Sequence, residues 1–163
     1  MIKIIIAILA VYILFVLFGS RDTNEGFRNI KLNFIQEMEL KKLLKIINEV
    51  FSDNNIDYAI TGQTLASSLE HKDLIPGDSH AQIIVVDPKK VQSIDWKKYG
   101  CNLHKTSSGF QLCFSSNPSC DPPYIDITVS SKEDEQNELY PIKKYQFGDL
   151  LLNGPNKPNN YLK

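Results

Sequence analysis

Residues 31–51 alternate between apolar and polar side chains with the period of an α-helix. Apolar residues recur three or four positions apart, and charged or amide side chains occupy the positions between them. The run stops at residues 52–55, Ser-Asp-Asn-Asn, which are turn-forming residues. We therefore predict an amphipathic helix that packs one face against the core of a domain. The apolar positions assigned to that face are Phe34, Ile35, Met38, Leu43, Ile46, Ile47, Val50 and Phe51.

The rest of the chain alternates between short strand patterns and helical patterns. The apolar run at 82–86 is continuous, which predicts a strand buried on both faces, and residues 106–109 join two strands into a hairpin. The order of elements predicts an α/β (α+β) domain with one mixed sheet and flanking helices. We expect strands at 57–60, 82–86, 102–105, 110–114, 124–129 and in short pieces from 139 onward, with helices at 64–69 and 89–98.

Residues 2–18 form an apolar run that contains a single lysine. As a helix, the run is about 26 Å long, close to the lower limit for crossing a hydrocarbon core of about 30 Å. We expect an uncleaved, single-pass transmembrane anchor over 1–19, a polar linker over 20–30 and a domain over 31–163. The alternative is a cleaved signal peptide, but the run exceeds the usual ~7–15 apolar residues, and Phe18 would stand where a small residue is expected. Basic residues flank the run on both sides, so its orientation stays open.

Composition narrows the range of partners. The net charge is −1, whereas a nucleic-acid-binding domain needs a basic surface, so no nucleic-acid partner is expected. Cys101, Cys113 and Cys120 show no C-x-x-C spacing and only His104 lies near one of them, so no metal site is predicted. The cysteines are either unrelated thiols or, in an oxidising compartment, one bridged pair and one free thiol.

Several short motifs occur in an order that resembles a known family. The chain contains Gly-Gln-Thr-Leu at 62–65, His-Lys-Asp-Leu-Ile-Pro at 71–76, Ser-Gly-Phe-Gln at 108–111, Tyr-Ile-Asp-Ile at 124–127 and Phe-Gly at 147–148. Together they resemble the LicD and fukutin-related branch of the nucleotidyltransferase fold, over nearly the whole predicted domain. The resemblance implies transfer of an alcohol phosphate, such as phosphocholine or ribitol phosphate, from a CDP-linked donor to a glycan.

The resemblance also implies where a metal would be held. In this fold, two carboxylates two residues apart on one strand and a third on a neighbouring strand bind Mg²⁺ or Mn²⁺ for phosphoryl transfer. The paired carboxylates fall here on His80 and Gln82, which replace hard anionic oxygen ligands poorly. Asp126 alone stands where a family carboxylate is expected, and Asp78 lies two residues too early for the pair.

The family's phosphate-binding positions have changed as well. Gly62 and Thr64 stand where backbone N–H groups at a helix N-terminus would approach a phosphate, and they are weak candidates for that contact. Gln63 adds bulk between them, and Glu70 replaces a family arginine with a charge that repels phosphate.

These changes lead to two functional hypotheses. The first is a catalytically inactive, membrane-anchored LicD-like domain that needs no cofactor and acts by binding or assembly with a glycan or protein partner. The second is an active transferase in which Asp78, His80 and Asp126 hold a softer ion such as Mn²⁺ or Zn²⁺. We predict the first, because four chemically sensitive positions have changed together while the surrounding scaffold stays recognisable. A chance resemblance, with an unrelated α/β domain, is the remaining alternative.

Overall fold

The computed structural model describes residues 33–75, 78–130 and 138–162. The predicted anchor and linker lie outside these ranges, as does most of the acidic loop at 132–138. Within the described ranges, no helix combines the length and the apolar character needed to span a bilayer.

The described residues form a mixed α+β domain, which confirms the predicted class. Helices α1–α3 and strands β1–β7 are joined by short loops and two 3₁₀ turns. In chain order, the elements are α1 (Phe34–Asp53), β1 (Tyr58–Ile60), α2 (Gly62–Glu70), β2 (His80–Val85), α3 (Pro88–Ser93), a 3₁₀ turn (Trp96–Tyr99), β3 (Cys101–Lys105), β4 (Gly109–Phe114), β5 (Tyr124–Val129), β6 (Lys143–Phe147), β7 (Leu150–Gly154) and a second 3₁₀ turn (Pro158–Tyr161).

A five-stranded sheet with the order β1-β2-β5-β4-β3 forms the centre of the domain. β2 and β5 run parallel and the other neighbours run antiparallel, so the sheet is mixed, as predicted. The prediction of one sheet was wrong, because β6 and β7 pair with each other in a separate two-stranded sheet. That sheet is tied to the first where the Tyr58 hydroxyl accepts the N–H of Asn153 at 3.3 Å.

Helix α1 begins at a capping box. The side chain of Asn33 accepts the backbone N–H of Gln36, and the side chain of Gln36 accepts the N–H of Asn33, both at 3.0 Å. These bonds satisfy two N–H groups that the first turn would otherwise leave unpaired. The helix packs against β2, β4, β5 and β7. Its buried side chains are Leu40, Leu43, Leu44, Ile47, Val50 and Phe51.

The first two turns of α1 depart from the predicted apolar face. Phe34, Ile35 and Met38 are 73%, 68% and 57% exposed, so their assignment to the core was wrong. The helical period was correct, but burial starts only at Leu40. A periodic pattern gives the apolar side of a helix, whereas the tertiary structure decides which of its turns meet the sheet.

The strands of the large sheet alternate between an apolar and a polar face, as β-geometry requires. On the apolar face, Ala81 and Leu112 both pair with Ile125, and Ile83 and Phe110 both pair with Ile127. All these side chains are buried in the core. On the other face, β2 carries half-buried His80 and Gln82 followed by buried Ile84, so the prediction of burial on both faces is confirmed for residues 83–85.

The predicted helix at 89–98 was also wrong in its extent. It is divided into α3 and a 3₁₀ turn, because Ile94 adopts an extended conformation (φ −75°, ψ 133°). The break lets Trp96 enter the core, where it is 5% exposed and its indole N–H donates to the Val91 carbonyl at 3.0 Å.

Candidate functional site

Four polar side chains lie in register across the large sheet. Gln82 on β2 pairs with Asp126 on β5, Asp126 pairs with Gln111 on β4, and Gln111 pairs with His104 on β3. We call this row, together with the neighbouring His80 and Tyr124, the polar face. It contains the position at which the family resemblance places a metal, and every member is half-buried. The polar face therefore consists of His80, Gln82, His104, Gln111, Tyr124 and Asp126.

Gln82 contacts the start of α2, where the family resemblance would place a phosphate. Its side-chain oxygen accepts the N–H of Gln63, at the start of α2, at 2.9 Å. Its own backbone N–H donates to Thr64 Oγ1 at 2.8 Å. Gly62 has a left-handed φ of +52°, and a Cβ there would collide with the Gln82 amide. The N-terminus of α2 is therefore occupied by a side chain of the protein itself.

Two of the three candidate metal ligands are held by other groups. The Asp78 carboxylate lies before β2 and accepts the Ser67 hydroxyl at 2.9 Å and the Ile75 N–H at 3.3 Å. The His80 ring stacks on Tyr124 with centroids 5.2 Å apart, and its Nδ1 lies 3.1 Å from Ser79 Oγ. The structure thus ties Asp78 to α2 and places His80 on the polar face.

Asp126 points away from the apolar side chains of its strand, as its alternation with Ile125 and Ile127 predicts. Burial raises the pKa of its carboxyl above the usual value, and the nearby His80 partly opposes that shift. Burial also raises the pKa of Tyr124, and the Asp126 charge adds to it. Carboxylates whose pKa is raised by burial occur frequently at functional sites.

We predict that Asp126→Asn stabilises the protein at neutral pH. Because the folded state holds the carboxyl pKa above its unfolded value, wild-type stability falls as the pH rises through the interval between the two. The gain of the variant should therefore be absent below pH 3.8, the ordinary value for this group, and full at neutral pH. Thermal unfolding across this range measures it, with exposed Asp149→Asn as the control. An equal gain at all pH values would contradict the prediction.

The cysteines form one bridged pair and one free thiol. Cys113 and Cys120 form a disulfide, with their Cα atoms 5.5 Å apart, and Cys101 is free and buried. Burial raises the pKa of the Cys101 thiol to about 11, and the charge of Lys42 partly opposes the shift. Of the two alternatives that the sequence left open, the structure supports the bridged pair.

His104 lies beside this pair, which sequence reasoning missed. One of its ring nitrogens, Cys113 Sγ and Cys120 Sγ all lie within 4.8 Å of one another. Within the described ranges, His104 Nε2 is a buried nitrogen without a hydrogen-bond partner, at a cost of about 1–3 kcal/mol. The predicted hairpin could have indicated that His104 and Cys113 are close. Its turn pairs residue 104 with residue 111, and residue 113 lies on the same face of β4 as residue 111.

Comparisons with known proteins give relatives without a described activity. No model of a known protein family matches the chain. It is similar to an uncharacterized protein of Rickettsia typhi, 28% identical over 141 residues, covering 74% of this chain and 43% of that protein. It is also similar to an uncharacterized protein of Rickettsia prowazekii, 24% identical over 159 residues, covering 83% and 57%. The chain spans about half the length of these curated relatives. The resemblance to the LicD family stays a prediction.

Proposed function

We propose that this chain is a membrane-tethered, catalytically inactive domain of LicD-like, nucleotidyltransferase-like fold that acts by binding a glycan. One observation carries the proposal. The Gln82 side-chain oxygen accepts the Gln63 N–H at the start of α2, where the family resemblance would place a substrate phosphate. Gln82 also stands at one of the two positions where the resemblance would require a metal-binding carboxylate. The six residues of the polar face thus include one carboxylate, whereas metal-dependent phosphoryl transfer in this fold uses three.

The electrostatics of the polar face favour a neutral ligand. Asp126 carries the one carboxylate among the six residues of the polar face, and none of the six is a lysine or an arginine. A phosphate brought beside this carboxylate would be repelled unless a cation lay between them. Two carboxylates at positions 80 and 82 would hold such a cation, but His80 and Gln82 stand there.

The hydrogen-bonding capacity of the polar face suits the hydroxyl groups of a sugar. Within the described residues, neither the Asp126 carboxylate nor the Gln111 amide makes a hydrogen bond, and the two are paired across β5 and β4. An amide both donates and accepts, and a carboxylate accepts, so together they match neighbouring hydroxyls. The stacked rings of His80 and Tyr124 lie next to them and offer apolar area.

The start of α1 supports the membrane tether. Phe34, Ile35 and Met38 are exposed together on its first two turns, which follow directly on the polar linker after the apolar run at 2–18. Clustered exposed apolar side chains mark interaction surfaces in soluble proteins. Here they lie at the end of the domain that a membrane anchor would hold closest to the bilayer.

We expect the full chain to release no CMP from CDP-choline or CDP-ribitol in the presence of Mg²⁺ or Mn²⁺. The measurement is chromatographic detection of CMP against a reaction without protein. Metal-dependent release that Asp126→Asn abolishes would instead establish the active transferase, the second hypothesis.

Binding is measured separately, by ligand-observed NMR with neutral mono- and disaccharides. Truncation of both hydrogen-bonding groups, in Gln111→Ala/Asp126→Ala, should remove any saturation transfer that the wild type shows. The control Gln146→Ala changes an exposed amide on β6, away from the polar face. If no sugar binds the wild type, or if the control loses as much as the double variant, a glycan ligand at this face is excluded.

A further inference from the structure

We propose that the reduced protein binds one zinc ion through His104 Nε2, Cys113 Sγ and Cys120 Sγ, and that this site and the Cys113–Cys120 disulfide are alternative states of the same three side chains. The site lies at one end of the polar face and does not depend on the proposed glycan-binding function.

The three side chains are close enough together to bind one zinc ion once the disulfide is opened. Zinc is bound by thiolate at about 2.3 Å and by imidazole nitrogen at about 2.0–2.1 Å, in tetrahedral geometry. These lengths place neighbouring ligand atoms about 3.5–3.8 Å apart. A ring nitrogen of His104 and the two sulfurs all lie within 4.8 Å of one another, and the two sulfurs must separate before they can bind zinc.

A second observation points to a ligand at the same place. His104 Nε2 is buried with no hydrogen-bond partner, while both cysteines of the pair are buried, at 0% and 6% exposure. In the neutral imidazole, this nitrogen can present its lone pair to a metal. A bound zinc ion would satisfy a polar atom that the disulfide form leaves without a partner.

The backbone holds the three ligands in place without the ion. His104 and Cys113 lie on the paired strands of the β3–β4 hairpin. The loop after β4 turns back on itself, since the N–H of Cys120 donates to the Asn117 carbonyl at 3.1 Å and the Asn117 amide donates to the Asp121 carbonyl at 2.6 Å. Cys120 therefore returns to the hairpin as a pre-positioned ligand.

The three protein ligands leave one position of a tetrahedral site open. Zinc sites with three protein ligands complete their coordination with a water molecule.

The exchange between the two states balances. A dithiol reductant supplies two electrons and two protons to the Cys113–Cys120 disulfide, which becomes two thiols while the dithiol becomes a disulfide. With a phosphine, phosphorus supplies the two electrons, and water supplies the two protons and the oxygen of the phosphine oxide. Zinc then binds the two sulfurs as thiolates and releases those two protons. After loss of the ion and reprotonation of the sulfurs, exchange with a small-molecule disulfide, which accepts two electrons and two protons and becomes two thiols, restores the bridge.

Cobalt(II) titration of the full chain in detergent, after phosphine reduction and under anaerobic conditions, tests the proposal. We expect the visible bands of tetrahedral cobalt and the near-ultraviolet thiolate charge-transfer band to saturate at one ion per chain. Zinc should displace the cobalt. The disulfide form of the same protein should show neither band.

Variants separate the site from adventitious thiol binding. Cys120→Ser should lower the cobalt affinity at least a hundredfold and His104→Asn at least tenfold, whereas Cys101→Ser, which removes the free thiol outside the cluster, should leave it unchanged. Circular dichroism checks that each reduced variant stays folded. Reduced, folded wild type without tetrahedral cobalt bands would overturn the proposal. So would equal losses in Cys101→Ser and Cys120→Ser, or a reduced wild type that neither stays folded nor refolds on addition of zinc.

Discussion

Phe51→Ala is expected to lower the free energy of unfolding by about 3–5 kcal/mol, the range for removing a fully buried aromatic side chain. Phe51 is 0% exposed. Its ring meets Tyr58 edge-on at 5.5 Å and Trp96 edge-on at 6.1 Å, so it joins α1, β1 and the 3₁₀ turn after α3. Because a domain of this size is stable by only about 5–15 kcal/mol, the loss would remove a large part of its stability.

Chemical denaturation followed by circular dichroism measures this loss. Phe34→Ala is the matched control, since it makes the same substitution on the same helix at a side chain that is 73% exposed. We expect that control to change stability by no more than about 0.5 kcal/mol. Similar losses in the two variants would show that the first turns of α1 are buried in solution.

The double variant His80→Asp/Gln82→Asp is expected to bind Mn²⁺ at least about tenfold more tightly than the wild type, a gain of about 1.4 kcal/mol or more. Positions 80 and 82 lie on one face of β2, and Asp126 pairs with position 82 from the neighbouring strand. Three carboxylates would then converge on one point, which is the ligand set that a hard divalent cation prefers. The shorter side chain at 82 would also release the Gln63 N–H.

Isothermal titration calorimetry measures the affinity, and thermal unfolding gives an independent value. A ligand present at a hundred times its dissociation constant stabilises the folded protein by about 2.7 kcal/mol. Mn²⁺ should therefore raise the melting temperature of the double variant more than that of the wild type. His80→Asn/Gln82→Asn is the control, because it has side chains of the same size without the charge. If the acidic variant binds no better than this control, the polar face does not have the geometry of a metal site.

The structure agrees with the sequence where short-range patterns decide the outcome. The hairpin at 102–105 and 110–114 was predicted with its turn, because alternation and the Thr-Ser-Ser-Gly connection specify both strands locally. The strand at 124–129 and the orientation of Asp126 followed from period-2 alternation. The long helix followed from its 3.6-residue period, with bounds within a few residues.

Predictions failed where long-range contacts decide the outcome. No local pattern distinguishes the exposed Phe34 from the buried Phe51, since both lie on the apolar side of one helix and only the position of the sheet separates them. The pairing of β6 with β7 in a separate sheet, and the break at Ile94 that turns Trp96 into the core, depend likewise on packing between distant segments.

The sequence by itself determined which side chains the candidate site contains: one strand carries an imidazole and an amide in place of two carboxylates, and a later strand carries one aspartate. Only the tertiary structure decided which contacts these side chains make. The Gln82 amide reaches the start of α2 because β2 lies beside that helix, and His104 meets two cysteines because a hairpin and a loop converge. Side-chain chemistry is local and can be read along the chain, whereas hydrogen bonds between segments 19 residues apart depend on the fold that brings them together.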